Sequence, residues 1–518
     1  MTTRDSSIDA RLAPTPRRPL WNAATRDAGA LALAFATTRV VLFLMGLRFN
    51  LVLDWMFLAD PSELKAQLLE TVYYFHAFPP GMNLLTGSLL KLSEAHVATL
   101  AHAVFMGAGL LLACSLRSLL VAVGVGRRAA FAAALGFSLL PQSLYFENLY
   151  LYDYPVPALL AYSALVFHGA VAAPTFRRWL WFFTLCAVLG WIRSALHMVW
   201  FIGLVLLSVL VVPRAARRSV ALAALGPLVL LGSLYLKNYL VFGVFDAQSQ
   251  SGGNFTLITT HHMPRPLRKQ WVREGKISPF ADMSFAAPPS DFLPYFESPL
   301  NPAYPHNQAL ERPTLHAPNY NHWFFLTVND KRRADASYCL RERPWEYVHT
   351  VLVRSLPQAF SPSTRWHPRT GTPSSPHAAH RAVLGGYEDL YNRLVHGLPL
   401  RPYGLYVFFP VLLGFASVGA WRRLRREAEG NTPARADDRA AGALVLVCAL
   451  QILYLIAITA LLTYGENARY RYIVEPLIWV VSAAGLLELR AWVRARSVQQ
   501  GGTRAASADA VAQGAPGG

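Results

Sequence analysis

The sequence predicts an all-α polytopic membrane protein with about ten transmembrane helices. Hydrophobic residues make up 53% of the 518 residues and charged residues only 15%, where a soluble globular protein has roughly 25%. The apolar residues occur in blocks of about 18 to 25 residues, the length of a membrane span. Short stretches containing arginine separate the blocks, as is typical of proteins that cross the bilayer repeatedly.

The apolar blocks predict two groups of spans. The predicted spans are residues 28–53, 97–123, 129–145, 155–173, 179–191, 196–212, 220–242, 403–421, 441–462 and 473–489. Seven of them form a transmembrane module, 28–242, and three form a C-terminal module within 403–492. A polar N-terminal tail, 1–27, precedes the first module. The tail 493–518 ends in a stretch rich in Gly, Ala and Ser, which predicts disorder.

Arginines orient the predicted spans. Each of the turns assigned to the cytoplasm carries at least two of them: Arg127 and Arg128; Arg177 and Arg178; Arg214, Arg217 and Arg218; and Arg422, Arg423, Arg425 and Arg426. The positive-inside rule therefore places both termini in the cytoplasm. The N-terminal tail has no short apolar region of a signal peptide. The preference for arginine over lysine resembles a bacterial coding bias and points to the inner (cell) membrane of a bacterium.

Two longer segments lie on the outer side in this topology. Residues 54–96 contain the sequence Asp60-Pro61-Ser62-Glu63, a plausible helix start, followed by apolar spacing that suggests a helix in the interface. Residues 243–402 are rich in Pro and His and too polar to insert. Long loops without function are uncommon, and the stretch 345–356 could form helices packed on the membrane face.

The net charge of +18 does not indicate a nucleic-acid partner. The basic residues are dispersed at the ends of apolar blocks and form no stripe that would follow a phosphate backbone. The four cysteines are scattered, so neither a disulfide framework nor a thiolate metal site is indicated. The partner that the composition does predict is the lipid bilayer.

Acidic residues at the outer membrane edge are the first candidates for chemistry. Asp54 follows span 1 directly, with Asp60 and then His76 further along the same segment. A carboxylate at the membrane edge is costly unless it is hydrated or paired, which favours a functional role. A solvated helix cap is an equally good explanation for a single acid.

A second acidic pair lies in the next outer turn. Glu147 and Asp153 flank a run of tyrosines, and carboxylates from two outer turns could share one site, one taking a proton and the other orienting a substrate or a metal. The tyrosines themselves are better explained as an interfacial aromatic belt.

Cations on the outer side are the third group. Lys237 lies near the outer end of span 7, and Arg469 and Arg471 precede span 10 together with Glu466. Outer arginines run against the positive-inside trend, and guanidinium groups bind phosphate in bidentate fashion. Snorkelling of Lys237 and pairing of the arginines with Glu466 are the structural alternatives. Arg193, where spans 5 and 6 meet, could line the same cavity.

Metal dependence is left open by the sequence. The histidines of the long segment lack the i, i+4 spacing of a helical metal pair, and no Asp-x-Asp motif occurs. No cofactor is indicated with certainty, although a divalent cation is compatible with the acidic residues.

The layout of these features resembles the GT-C superfamily of integral-membrane glycosyltransferases. The similarity is to the polyprenyl-phosphate-dependent branch, which includes protein O-mannosyltransferases and lipid A aminoarabinose transferases. It rests on an acid just after the first span, an amphipathic outer loop, an acid in the next outer turn and a large outer loop after span 7. It covers residues 28–489 in layout, with weak motifs.

The resemblance implies an inverting transfer of a sugar from a polyprenyl-phosphate donor to a glycan, lipid or protein acceptor on the outer face. It implies that Asp54 is the general base and that Glu147 is the second-turn acid. His76 with Pro79-Pro80 would match the family's His-x-x-Pro-Pro-like stretch. In the family a second acid often follows the first, whereas Trp55 follows Asp54 here, so the base is either Asp54 or Asp60.

By the same resemblance, Lys237, Arg469 and Arg471 would bind the donor phosphate. Two alternatives come from other classes of protein. A transporter or lipid flippase would need ionisable residues near the middle of the membrane, whereas the acids collect at its edge. A non-catalytic envelope assembly protein would use the long loop for binding alone.

Overall fold

The computed structural model describes residues 20–365, 376–397, 403–425 and 433–513. These residues form α-helices joined by short 3-10 turns and one π-helical turn, and the strand pairing among them is limited to two isolated bridges. The predicted all-α class is therefore confirmed for the described part of the chain. Most of the N-terminal tail, residues 1–19, and the last five residues of the C-terminal tail lie outside it.

Eleven α-helices precede the long polar segment. They are α1 (Leu20–Leu44), α2 (Pro61–Ala66), α3 (Leu68–Tyr73), α4 (Gly81–Leu92), α5 (Val97–Ala122), α6 (Arg127–Ser138), α7 (Pro141–Glu147), α8 (Pro155–Ala172), α9 (Phe176–Ile192), α10 (Met198–Val211) and α11 (Arg217–Phe242).

The remaining helices belong to the polar segment and the C-terminal spans. They are α12 (Ser251–Ile258), α13 (Arg265–Arg273), α14 (Phe324–Glu342), α15 (Pro344–His349), α16 (Leu356–Ala359), α17 (Pro376–His396), α18 (Phe409–Arg425), α19 (Pro433–Leu462) and α20 (Asn467–Gln513). Helix α20 thus continues through most of the tail that the sequence predicts to be disordered.

Seven of the described helices are long and apolar enough to cross a bilayer: α1, α5, α8, α11, α18, α19 and α20. They make the chain a candidate multi-pass membrane protein. The bundle is held together by packing of α20 against α18, α19 and α8, of α5 against α8, and of α9 against α8 and α11. A single large apolar core runs through these contacts.

Three of the ten predicted spans do not form long straight helices. The predicted span 129–145 is divided into α6 and α7, which meet at an angle of 59° and count as one further span at most. The break lies at Pro141, whose ring restricts the preceding residue to extended backbone. Helices α9, with 17 residues, and α10, with 14, are shorter than the roughly 20 residues of a typical span. Ten spans therefore stay a prediction.

The first helix ends nine residues before the predicted boundary. The sequence predicts a span to residue 53, but α1 ends at Leu44 because Gly46 adopts φ +100°. The N–H groups of Gly46 and Leu47 donate to the carbonyls of Phe43 and Leu42, which is the hydrogen-bond pattern of a Schellman C-cap. The prediction of one helix over 28–53 is wrong, and Asp54 lies on a non-helical segment.

The outer segment 54–96 begins a helix where the sequence predicts one. Helix α2 starts at Pro61, and the side chain of Asp60 accepts a hydrogen bond from the Ser62 N–H as its N-cap. The segment then continues as α3 and α4. In the first part Leu64 is buried, whereas Leu69 in α3 is 78% exposed, so only part of the apolar surface is covered.

The polar segment follows the fourth of the seven long apolar helices and has its own aromatic core. Phe280, Phe292, Trp323, Phe324 and Phe325 pack together there. Helices α15 and α16 with the intervening π-helical turn, 350–355, confirm the helices predicted over 345–356.

The polar segment is tied to residues 54–96. The guanidinium of Arg312 donates to the backbone carbonyls of Leu53, Asp54, Trp55 and Leu58. Both segments therefore cover one end of the helix bundle, which we call the loop end.

Candidate functional site

The most unusual side chain at the loop end is Arg193, in the turn between α9 and α10. It is 5% exposed, and its guanidinium carbon lies 4.1 Å from the ring centre of Tyr152 and 4.2 Å from that of Tyr470. The two rings hold the planar cation between them. Its Nε and Nη2 atoms are buried without a hydrogen-bond partner among the described residues, so Arg193 keeps unused donors.

Asp153 and Arg469 lie beside this stack. The Nη1 atom of Arg469 is 3.5 Å from Oδ2 of Asp153, and its Nη2 atom is 2.5 Å from Oε2 of Glu466. Asp153 is fully buried, and neither of its oxygens accepts a hydrogen bond from the residues that the structure describes. Burial raises the pKa of Asp153, with the neighbouring arginines opposing the shift. We call Asp153, Arg193, Glu466 and Arg469 the arginine cluster.

An amphipathic cavity of about 650 Å³ adjoins the arginine cluster. It is lined by Tyr470, whose ring stacks on Arg193, and by Ser194, the residue that follows Arg193. Its polar wall is formed mainly by His197, Asp246, Gln248, Ser251, Asn254 and Arg333, and its apolar wall mainly by Met198, Val199, Tyr235, Phe245, Ile458 and Leu462. Val199 is 65% and Phe245 70% exposed, so the apolar wall faces the side of the bundle.

Arg471 belongs to a different group. Its Nε atom lies 3.0 Å from Oε2 of Glu475, and its Nη2 atom donates to Ser363 Oγ at 2.8 Å. The guanidinium lies over the ring of Tyr406, whose hydroxyl donates to Glu475. Two residues along a helix are about 200° apart around its axis, so Arg469 and Arg471 point to opposite faces of α20. The structure thus separates two of the three predicted phosphate ligands.

Lys237, the third predicted phosphate ligand, lies with His76. Its Nζ atom donates to the carbonyl of Phe75 at 2.6 Å. The Nδ1 atom of His76 is 2.8 Å from Ser249 Oγ, and the backbone N–H of His76 donates to Asn321. Burial lowers the pKa of His76 to about 3, so the ring is neutral at pH 7. These contacts join the outer segment to the polar segment.

Asp60 is occupied by structural hydrogen bonds. Its carboxylate accepts from the N–H and hydroxyl of Ser62 and from the N–H and hydroxyl of Thr314, at 2.6 to 2.9 Å. Burial alone would raise the pKa of Asp60, but these hydrogen bonds outweigh it and the pKa is lowered. Asp60 therefore fastens the start of α2 to the polar segment.

Glu147 is buried in a two-point ion pair within the bundle. Arg39 Nε and Nη2 donate to its Oε1 and Oε2 at 2.8 and 2.7 Å, and the Tyr154 hydroxyl donates to it as well. The structure places Glu147 at the end of α7, with 1% of the residue exposed. A proton-accepting role for Glu147 would require this pair to open.

Asp54 is half-buried at the loop end. Its backbone carbonyl accepts from Arg312, and the indole N–H of the next residue, Trp55, donates to the carbonyl of Tyr150 at 2.9 Å. The segment that carries Asp54 therefore packs on the turn that carries Tyr152 and Asp153.

Two important arginines are missing from the sequence-based candidates. Arg39 could have been identified from the sequence, because it is a charged residue within an apolar run and such residues usually have a functional or structural role. Arg312, in the middle of the long polar segment, had none. Within the described ranges, no three His, Cys, Asp or Glu side chains are grouped so that they could hold a metal ion.

Comparison with known proteins adds no relative. No protein-family model, curated protein or solved structure matches the chain.

Proposed function

We propose that the protein is a membrane glycosyltransferase that transfers a sugar from a polyprenyl-phosphate donor to an acceptor at the loop end. The observation that carries the proposal is Arg193, a buried cation held between two tyrosine rings with unused N–H donors. Buried guanidinium donors without a partner favour an anion. A phosphate ester is the anion that a lipid-linked sugar would bring.

The amphipathic cavity beside the arginine cluster fits the other two parts of such a donor. Its apolar wall suits the first units of a polyprenyl chain that enters from the side of the bundle. Its wall of Asp246, Gln248, Ser251, Asn254 and Arg333 offers hydrogen-bond partners to sugar hydroxyls. The phosphate would then lie at the end of the cavity near Arg193 and Arg469.

These arginines would supply the main catalytic effect. As the sugar leaves, negative charge grows on the phosphate oxygen, and fixed donors in a dry site stabilise that charge. Asp153 and Glu466 would keep the guanidinium of Arg469 in place by their ion pairs.

Asp54 is the better candidate for the general base. Asp54 is half-buried, and the indole N–H of the next residue, Trp55, donates to the carbonyl of Tyr150 in the turn that also carries Asp153 of the arginine cluster. In the proposed step the acceptor oxygen attacks the anomeric carbon and its proton moves to Asp54. The bond from the anomeric carbon to the phosphate oxygen breaks, and that oxygen keeps the electron pair. A single displacement inverts the anomeric centre.

The same proposal places the loop end outside a bacterial inner membrane. Pairs of arginines occur at the opposite end of the bundle, as at the start of α6 and of α9, and the positive-inside rule assigns that end to the cytoplasm.

The test is turnover of radiolabelled undecaprenyl-phosphate sugars by the purified protein in lipid vesicles with envelope extract. We expect Arg193→Met to lower the rate of donor consumption at least about 100-fold, the effect of removing one donor to a developing oxyanion. Asp54→Asn should fold and be inactive. Arg273→Met, a change of the same type at an exposed position of α13, should keep full activity.

Unchanged turnover in Arg193→Met would remove the arginine cluster from the reaction. No turnover of any donor by the folded wild type would contradict the enzyme itself and favour a transporter or an assembly protein.

A further inference from the structure

A second cavity lies on the other face of α20. It is a groove of about 720 Å³ whose wall includes Ile478, Ser482, Ala483, Leu486 and Leu489 of α20, together with residues of α5, α6, α17 and α18. Phe408, Val411 and Leu486 line it and are each more than half exposed. The groove is therefore apolar and opens toward the side of the bundle, where the bilayer would be.

The length of the groove fits a lipid chain. It extends along α20 from Glu475 to Leu489, and fourteen residues of an α-helix span about 21 Å. The hydrocarbon core of a bilayer is about 30 Å thick. The groove is therefore long enough to hold most of an acyl chain that begins at the level of Glu475.

The polar end of the groove fits a headgroup and not a sugar donor. Tyr391, Tyr406 and Glu475 line that end, beside Arg471. Arg471 is 1% exposed, and its Nη1 atom has no hydrogen-bond partner within the described residues. A polar end made of two tyrosines and one carboxylate, with the Nη1 donor of Arg471 behind them, suits a small polar head, whereas the wide polar wall that would suit a sugar belongs to the other cavity.

Both cavities begin at the start of α20. Tyr470 lines the amphipathic cavity and Glu475 lines the groove, and five residues of helix rise only about 7.5 Å. Along the axis of α20 the two lipid-scale cavities thus begin at nearly the same level, on different faces of the helix. The proposed donor needs one of them, and the second calls for another molecule with an apolar chain.

We infer that the groove binds the acyl chain of a lipid acceptor with a hydroxyl-bearing headgroup, so that the sugar is transferred to a lipid. This inference rests on the proposed function. A protein or a soluble glycan would not need an apolar groove that is open toward the bilayer.

The first experiment is photo-crosslinking of the wild-type protein in vesicles that contain phosphatidylglycerol with a diazirine in its acyl chain. We expect crosslinks in the peptide around 478–486 that exceed those in the exposed outer face of α11 and that persist when undecaprenyl phosphate is in excess. Equal labelling of both faces would mean ordinary surrounding lipid and would overturn the inference. Loss of labelling on addition of undecaprenyl phosphate would assign the groove to the donor and would overturn it as well.

The second experiment follows the label from undecaprenyl-phosphate sugars in vesicles made from total envelope lipid. We expect it to reach a new lipid in organic extracts, and Ala483→Trp, which fills the groove, to lower that transfer at least tenfold. Donor binding to the purified variant, measured by retention of labelled undecaprenyl phosphate, should be unchanged. The matched control is Ala221→Trp on an exposed face of α11, which should transfer normally.

The outcomes separate this inference from the proposed function. Transfer only to protein or to water-soluble glycan would leave the glycosyltransferase in place and refute the lipid acceptor. Normal lipid transfer by Ala483→Trp would also refute the role of the groove. Absence of any transfer by the wild type would refute both.

Discussion

The buried pair of Arg39 and Glu147 offers the sharpest test of how this bundle is stabilised. The side chains are 7% and 1% exposed, and two N–H···O bonds of 2.8 and 2.7 Å join them. Breaking a buried pair from one side leaves an uncompensated charge and costs about 3 to 5 kcal/mol. We expect both Arg39→Met and Glu147→Gln to lower the free energy of unfolding by about that amount.

The double variant distinguishes a structural pair from a catalytic acid. Removing both charges leaves no unpaired ion, so Arg39→Met with Glu147→Gln should regain most of the lost stability. If Glu147 acts only in structure, donor turnover should return with stability. If it acts in the reaction, as the family resemblance implies, the double variant should be stable and inactive.

The measurement is unfolding of the purified protein in mixed micelles by titration with sodium dodecyl sulfate. The control is the exposed pair of Lys65 and Glu94, whose side chains are 50% and 64% exposed. Lys65→Met should change the free energy by less than about 1 kcal/mol. A loss of less than about 1 kcal/mol in Arg39→Met as well would refute our argument.

Three further predictions concern the loop end. Asp60→Ala should lower the free energy of unfolding by about 2 to 3 kcal/mol in the same titration, since it removes an N-cap and the hydrogen bonds from Thr314. The pKa of His76 is about 3 in the folded protein and about 6.5 when unfolded, so only the unfolded chain takes up a proton between these two pH values. The contribution of His76 to stability is therefore complete above pH 6.5. That contribution should fall by up to about 1.4 kcal/mol per pH unit toward pH 3, and His76→Gln should flatten the pH dependence of stability. Gly252→Ala would place a Cβ 1.9 Å from the Asn329 carbonyl oxygen, so we expect the α12–α14 contact to loosen and thermal stability to drop.

Each of these predictions has a matched control. Thr314→Val combined with Asp60→Ala should cost less than the sum of the single changes, and strict additivity would mean that the two residues do not interact. The pH dependence should change more in His76→Gln than in His96→Gln, a change of the same type at an exposed position, and an equal effect of both variants would rule out His76 as its source. Gly169→Ala meets no atom within 4 Å and should be neutral or slightly stabilising in its helix. A Gly252→Ala protein as stable as the wild type would show that the two helices can separate freely.

The sequence predicted the helical class because the length of an apolar block is a local property of the chain. It also located the start of α2, since Asp60 caps within two residues of its own position. The early end of α1 was predictable in principle. Gly46 is the common residue at a left-handed C-cap, but an apolar run on both sides of it concealed the signal.

The contacts of the candidate site could not be derived in the same way. Arg469 and Arg471 are two residues apart in the sequence, yet α20 turns them toward different partners. Arg469 meets Asp153 in the turn before α8, and Arg471 meets Ser363 and Tyr406. Arg312 reaches Asp54 across 258 residues, a separation that no local pattern records. Long-range packing therefore decided which of the candidate cations lie together.

That separation has a consequence for biosynthesis. At roughly 5 to 20 residues per second, residues 54–58 leave the ribosome about 13 to 50 s before Arg312 is made to hold their carbonyls. During that interval Asp60 also lacks Thr314. Until then the first outer segment lacks the hydrogen bonds that hold it in the finished protein. In a nascent chain halted before residue 312, this segment should therefore be far more accessible to proteases and chaperones than in the finished protein.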